Sequence, residues 1–302
     1  MSSNKSHSID FQEDHPCKII AEIGCNHKGN MDIAKEMINT AKYYCKVDAV
    51  KFQKRKPSES LDRETYNAPH PTPYNSYGKT YGAHREFLEF NIDQHQELKQ
   101  YCEKLDLEYS CSVWDPTSAR EIGSLKPGWI KIPSACNEDA ELLEAVIKSF
   151  DGEIHVSCGM TSLKAEEKIV AFFEERGRSK DLVLYACTSG YPVPDKDVCL
   201  LEIHRLKNTF KDRVKDIGFS GHHLGIAIDI ATYLLGANLI ERHFTLDRTW
   251  KGTDHAASLE PEGMRKLVRD IKEISKALHL KPTQILPIEE ETIKKLKHKK
   301  SL

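Results

Sequence analysis

The sequence predicts an α/β fold, a (β/α)8 TIM barrel, and three observations point to it. Short apolar runs alternate with segments of helical period, in eight pairs over roughly 280 residues, the span expected of such a barrel. The runs are continuously apolar, as in a parallel sheet covered on both faces. Polar residues gather at the carboxyl end of nearly every run, the edge at which a parallel sheet carries its site. An open doubly wound sheet gives the same alternation, but the count of eight and the polar strand ends favour the barrel. The 302 residues suffice for one large domain. Residues 1–16 read as an N-terminal extension, 17–280 as the barrel and 281–302 as a C-terminal linker-like tail.

The first run, Lys18 to Ile23, presents a carboxylate at Glu22 and leads into a glycine-containing turn over residues 24–29. Asn30 caps a helix whose apolar residues Ile33, Ala34, Met37, Ile38 and Ala41 fall at helical spacing. The second run, Val47 to Gln53, is followed by a long polar loop, residues 54–90, bearing Tyr66, Tyr74, Tyr77 and Tyr81. A loop of that length in a compact domain is more often functional than idle. Leu98, Tyr101, Cys102 and Leu105 share a helix face before a strand at Leu107 to Ser112. Asp115-Pro116 reads as an N-cap with proline at the first helical position, opening a helix that ends near Gly123.

Trp129 to Ile132 is the fourth strand, and Leu142, Leu143, Val146 and Ile147 mark the helix after it. Glu153 to Cys158 precedes a helix through Ala165, Ile169, Phe172 and Phe173. Leu182 to Cys187 precedes one through Val198, Leu201 and His204. Asp216 to Phe219 leads to an apolar helix over Leu224 to Leu235. Leu239 to Phe244 is the eighth strand, and Pro261 opens a helix carrying Leu267, Val268, Ile271 and Ile274. The basic run at 294–300 reads as a solvated helix end or frayed terminus.

Hydrophobic residues make up 39% and charged residues 30%, the balance of a folded soluble chain rather than a disordered one. A formal net charge of −2 argues against nucleic acid or an anionic membrane as partner. No apolar run approaches a membrane span, and the N-terminus lacks the apolar core of a signal peptide. Nine scattered cysteines, odd in number and without a CxxC pair, read as free thiols of a cytoplasmic protein, mostly buried.

Closing the barrel would bring the strand ends onto one rim. These carry Glu22, Lys51, Gln53, Ser110, Ser112, Lys131, Ser134, Ser157, Thr188, Ser189, Ser220, His222 and the triplet Glu241, Arg242 and His243. Two lysines with converging hydroxyls describe a site for a small anion, phosphate or carboxylate. A single strand-end lysine has a bland reading as a salt-bridged residue, which the whole set makes hard to keep. His222 and His243 end adjacent strands and suit a divalent ion such as Mn²⁺, Fe²⁺ or Zn²⁺, the alternative being hydrogen-bonded core histidines. No GxGxxG or P-loop is present. Lys131, beside Trp129 and Ile130, has the apolar setting of a Schiff-base lysine; that chemistry leaves the histidine pair without a role.

The motifs AEIGCNHKGN, VKFQK, KIPSACN, SCGM, CTSGYP, GFSGHH and ERHFTLDRTWKGTDHAASLEP, in this order, resemble the sialic acid synthase family. YGKTYGAHREFLEF and WKGTDHAASLEP resemble its animal-type members in particular. The resemblance implies a barrel that condenses phosphoenolpyruvate with an open-chain aldose, releasing phosphate and making a nonulosonic acid. It implies that Lys51, Ser112, Lys131, Ser134, Ser157, Ser189 and Ser220 bind phosphoenolpyruvate, and that Glu22, Gln53, Tyr191 and Asp254 face the acceptor. It also implies that His222 and His243 hold Mn²⁺ or Mg²⁺, and that the protein is a homodimer. Glu22, Lys51 and Lys131 are then the catalytic candidates, with Glu22 handling a proton, gripping an acceptor hydroxyl, or shaping the site through a salt bridge to Lys51 or Lys131.

Two departures from the family pattern bear on these expectations. Where the family carries a carboxylate after Lys131, this chain reads Ser134-Ala135-Cys136-Asn137-Glu138, which puts Cys136 in the fourth catalytic position or calls on Glu138 if the loop shifts register. QILPIEEETIKKLK resembles the linker to the family's C-terminal antifreeze-like domain, and no residue aligns with the arginine by which that domain contacts the acceptor's N-acetyl group. The expectation is an acceptor such as mannose or another neutral aldose, phosphorylated or not. A Schiff-base aldolase or lyase using Lys131, and a catalytically inactive sugar-acid binding homologue, are the other readings. The intact set of lysines, histidines and serines argues against the inactive one.

Overall fold

Because side chains on a strand alternate between its two faces, one barrel needs two separate sets of apolar residues, and this chain supplies both. The computed structural model describes residues 17–282 and 284–297, so the N-terminal extension and the end of the basic run lie outside the described residues. The strands are β1 (Lys18–Gly24), β2 (Ala49–Lys54), β3 (Glu108–Val113), β4 (Trp129–Ile132), β5 (Glu153–Ser157), β6 (Leu182–Cys187), β7 (Asp216–Gly221) and β8 (Leu239–His243). They lie parallel in sequence order, and β1 pairs with β8 from Lys18 opposite Leu239 to Glu22 opposite His243. That closure removes the open-sheet alternative. The fold is the expected (β/α)8 barrel.

On β8, Ile240 packs in the large apolar layer under the helices while Leu239 belongs to a second cluster within the barrel. Ile20, Ala49, Trp129, Val183 and Tyr185 complete that inner cluster. It plugs the lower barrel and makes the layer above it the floor of the mouth. The helices are α1 (Met31–Asn39), α2 (Pro57–Ser60), α3 (Arg63–Asn67), α4 (Tyr81–Leu88), α5 (Ile92–Lys104), α6 (Pro116–Ser124), α7 (Ala140–Ser149), α8 (Leu163–Glu174), α9 (Leu201–Phe210), α10 (Ala227–Leu234), α11 (Pro261–Ala277) and α12 (Pro287–Leu296). Their starts follow local chemistry. The Asn30 side chain accepts from the Asp32 and Ile33 amides, and that of Asp115 from Ser118, with Pro116 at the first helical position.

Residues 54–90 differ from the loop that the sequence suggests. They hold α2, α3, a 3-10 turn at Pro73–Asn75, and α4. Helices of so few turns leave no readable period, although the caps Asp62 and Thr80 are ordinary ones. Helix α10 begins at Ala227 rather than Leu224 because the chain first turns at Gly225, which sits at φ 75°. The tail carries α12, whose last turn holds Lys294 and Lys295, where cations favour the helix dipole. All nine cysteines are free, and Cys199 alone among them is exposed. Among the described residues no helix is long and apolar enough to cross a membrane.

Candidate active site

Strand register brings the charged residues of the floor together. Glu22 lies opposite Lys51 across β1 and β2, Ser112 opposite Lys131 across β3 and β4, and Ser220 opposite Glu241 across β7 and β8. These six line a cavity of about 270 Å³ at the carboxyl mouth, with Ser134, Ser157 and Ser189 on its walls and Gln53, Tyr191, His222 and His243 also lining it. Gly159 permits the wall to close up, since a Cβ there would stand 2.4 Å from the Ser189 hydroxyl and 2.7 Å from that of Ser134. A larger groove, about 600 Å³, runs along the outer helices beside Arg120, Glu144 and Arg176. Glu144 and Arg176 already pair there at 2.6 Å, and nothing converges on it.

The floor is a buried network of alternating charge. Lys51 Nζ donates to Ser112 Oγ at 2.6 Å, forms a close ion pair with Glu22, and lies 3.6 Å from Glu241. Lys131 Nζ lies 3.4 Å from Glu241 and 3.2 Å above the Tyr185 ring. Ser220 Oγ donates to Glu241 at 3.3 Å. The two carboxyls are driven apart. Burial pushes Glu22 up, and the single nearby lysine only partly opposes it. Burial acts on Glu241 too, but Lys131 and Lys51 together bring it down to about 2. Burial lowers Lys131 to about 8 against the pull of Glu241, whereas Glu22 and Glu241 more than offset burial at Lys51 and hold it above the usual lysine value.

Above the floor stands the histidine pair, with ring centroids 5.4 Å apart and Tyr191 packed 4.4 Å from His222. His222 Nδ1 faces the Thr188 carbonyl at 3.2 Å. A carbonyl only accepts, so Nδ1 carries the proton and Nε2 keeps its lone pair. Burial and the neighbouring His243 push His222 down to about 3, so its ring is neutral. His243 Nδ1 is buried without a hydrogen-bond partner among the described residues. One fixed tautomer and one orphaned ring nitrogen fit a divalent ion better than a satisfied core pair. Among the described residues no group of three or more His, Cys, Asp or Glu side chains is arranged to hold a metal, so further ligands would come from solvent and substrate.

Gln53 joins floor to rim: its Nε2 donates to Glu22 Oε1 at 2.8 Å, and its Oε1 accepts from Arg55 at 2.5 Å. Arg55 is buried, stacks 4.0 Å over Trp114 and pairs with Glu89 at 3.1 Å. With this geometry in place, the comparisons with known proteins converge. Residues 37–282 match the model described as the NeuB family. The chain belongs to the NeuB family. It is 38% identical to human N-acetylneuraminate-9-phosphate synthase over 275 residues, covering 91% of this chain and 75% of the relative. It is 33% identical to N,N'-diacetyllegionaminic acid synthase of Campylobacter jejuni over 261 residues, 86% of this chain and 77% of that one. The crystal structure of N-acetylneuraminic acid (sialic acid) synthetase from Leptospira borgpetersenii serovar Hardjo-bovis in complex with citrate superposes with a TM-score of 0.75 at 29% identity, covering 95% of this chain and 94% of that one.

Within this NeuB-family barrel, two expected site residues stand apart from the cavity. Asp254 is not among its lining residues but close to the rim, where burial raises its carboxyl and His243, Arg85 and Arg55 more than reverse the effect. Cys136 is also absent from the lining; its Sγ faces the Trp114 carbonyl at 3.7 Å, and burial pushes its thiol up to about 11. A thiol held neutral cannot replace a carboxylate. Glu138 is exposed and likewise outside the lining. Glu241 and Tyr185 both lie against Lys131, and sequence reasoning gave neither a role. Alternation along β8 is the signal for Glu241, because His243, two residues on, shares its inward face. Tyr185 had none.

Proposed function

We propose that this NeuB-family chain condenses phosphoenolpyruvate with the open-chain form of an aldose of the mannose or N-acetylmannosamine type. The products are a nonulosonic 2-keto-3-deoxy sugar acid and inorganic phosphate. The observation that carries the reading is a floor of two buried lysines ringed by serine hydroxyls beneath two imidazoles. Lys51 and Lys131 supply positive charge to the phosphate and carboxylate of phosphoenolpyruvate, and Ser112, Ser134, Ser157, Ser189 and Ser220 supply hydroxyl donors. Gln53, Tyr191 and Asp254 face the acceptor. The relatives named as N-acetylneuraminate-9-phosphate and N,N'-diacetyllegionaminic acid synthases support the reading.

In the reaction, C3 of phosphoenolpyruvate attacks the aldehyde carbon and the new C–C bond forms. Glu22, held by Gln53 and closely paired with Lys51, passes a proton of that pair to the aldehyde oxygen as it becomes a hydroxyl. Water then adds at C2 and loses a proton, the C2–O bond to phosphorus breaks, and phosphate leaves with the bridging oxygen. Glu241 stays ionised and keeps both lysines aimed inward. His222 and His243 would hold Mn²⁺ or Mg²⁺, which would supply Lewis-acid polarisation of the aldehyde oxygen. The floor itself points to a cation, because Glu22 and Glu241 already answer Lys51 and Lys131, and phosphoenolpyruvate adds net negative charge. We further infer a cytoplasmic protein that is a homodimer, the dimer being tested by light scattering of the purified chain and the location by cell fractionation.

The test offers N-acetylmannosamine, mannose and their 6-phosphates with phosphoenolpyruvate and Mn²⁺, following phosphate release and the mass of the product. Acceptor-dependent release is expected, reduced about 10²–10³-fold in Lys131→Met. Phosphate release indifferent to acceptor, or none with any of them, sinks the proposal. The low value at Lys131 also suits a Schiff-base amine. Borohydride treatment with pyruvate distinguishes that reading, and the condensation account expects no mass gain on Lys131.

A further inference from the structure

The cavity wall ends at Gln53, but a line of buried contacts continues behind it. Arg55, one residue past β2, lies on the side of the chain that carries Lys51 and Gln53, as alternation along an extended chain requires. Its Nη2 donates to Gln53 Oε1 at 2.5 Å, and its Nη1 to Glu89 Oε1 at 3.1 Å and more weakly to Cys25 Sγ at 3.4 Å. Glu89 Oε2 also accepts from the Arg55 backbone amide at 2.7 Å, and the Trp114 ring lies 4.0 Å from the guanidinium. Gln53 and Trp114 line the cavity, whereas Arg55 stands behind them, only 6% exposed. A buried ion pair is a poor way to stabilise a fold, since apolar residues of the same volume often serve as well. The Arg55–Glu89 pair therefore calls for a role in the site that it touches.

A glutamine amide can turn either its oxygen or its nitrogen toward a neighbour, and Glu22 tolerates only one of the two. A carboxylate accepts hydrogen bonds, so an amide oxygen facing it would repel it. A guanidinium only donates, so the amide atom that faces Arg55 is the oxygen. That leaves Nε2 to donate to Glu22 Oε1, at 2.8 Å, while the other Glu22 oxygen pairs with Lys51. We propose that Arg55 is a positioning residue for the condensation: through Gln53 it fixes the amide orientation that holds Glu22 beside Lys51. The inference rests on the condensation reading for the role of Glu22. Glu89 aims the guanidinium in turn, so Glu89, Arg55, Gln53 and Glu22 form one line from behind the wall to the floor. Cys25 does not substitute for Arg55, because its thiol is a weak donor 3.9 Å from Gln53 Oε1.

Removing Arg55 alone would strand the Glu89 carboxylate, so the test uses Arg55→Met/Glu89→Gln, which removes both charges together. With phosphoenolpyruvate, an aldose acceptor and Mn²⁺, kcat is expected to fall roughly tenfold or more while the KM for phosphoenolpyruvate stays within about twofold. In a Gln53→Ala background the same two substitutions should change kcat by less than roughly twofold, because no amide is left to orient. Gln53→Glu, which satisfies Arg55 but has no N–H for Glu22, should lose at least as much as Arg55→Met/Glu89→Gln. An undiminished kcat in either variant, or an equal further loss in the Gln53→Ala background, overturns the positioning role. A second readout is independent of turnover. The Gln53 side-chain amide resonance, assigned by its loss in Gln53→Ala, should move toward the free-amide position in Arg55→Met/Glu89→Gln, and an unmoved resonance likewise overturns the role. Wild type that turns over no acceptor refutes the condensation reading instead, and the resonance then decides on its own whether Arg55 orients Gln53.

Discussion

On the proposed reading, the charge of Lys131 sets the alkaline limit of the site. Burial lowers its ammonium to about 8, and the groups facing it are Glu241 from β8, Lys51 from β2, Glu22 from β1, Cys187 and Tyr185 from β6, and His155 from β5. Below that value the amine is charged and can hold phosphoenolpyruvate; above it the charge is lost. The expected profile of kcat/KM for phosphoenolpyruvate therefore falls roughly tenfold per pH unit on the alkaline side of about 8. Tyr185 supports that charge with its ring face, and its Oη is fixed by His155 Nδ1 at 2.9 Å. Tyr185→Leu should move the alkaline limb to lower pH, whereas Tyr185→Phe keeps the face and leaves the limb in place. An unmoved limb in Tyr185→Leu removes Tyr185 from the account. Arg242, the outward neighbour of Glu241, carries a structural rather than chemical role. It pairs with Asp229 on α10, and both side chains are fully buried. Arg242→Met strands that carboxylate and should cost about 3–5 kcal/mol in denaturant unfolding.

At the scale of elements, the ends of the strands carry the charged floor, while α4 packs outside the cavity lining. Gly82 on α4 packs so tightly that a Cβ would stand 2.5 Å from the Tyr66 ring. Gly82→Ala should displace α4 from Tyr66 and cost about 1–3 kcal/mol in denaturant unfolding, while the KM for phosphoenolpyruvate holds. A rise in that KM would mean that the disturbance reaches the barrel floor. The strands and long helices were legible because buried parallel strands and amphipathic helices both leave an apolar pattern. Asn30 and Asp115 were legible as caps because their chemistry is local. The short helices of residues 57–88 were not, and neither was the meeting of Tyr77 with Lys251, which depends on packing across 174 positions.

For the whole molecule, closure of the sheet is what turns scattered residues into a site. Glu22, Lys51, Lys131 and Glu241 come from four strands, and only the closing pair β1–β8 sets Glu22 opposite His243 and near Glu241. The sequence showed which residues end strands, so the lysines, serines and histidines of the cavity could be named before the fold was seen. It could not show that Asp254 and Cys136 fall outside the cavity lining, since that depends on where two loops lie. Nor could it show the balance of charge on the floor, because the pairing of Glu241 with both lysines is a contact across the barrel. The central claim is that this floor holds phosphoenolpyruvate for attack by its C3 and loss of phosphate through C–O cleavage. The most direct measurement uses phosphoenolpyruvate labelled with ¹⁸O at the bridging oxygen, with an aldose acceptor and Mn²⁺. The account predicts acceptor-dependent turnover in which the label departs with inorganic phosphate. Label retained at C2 of the sugar acid, or phosphate released at the same rate without acceptor, would contradict it.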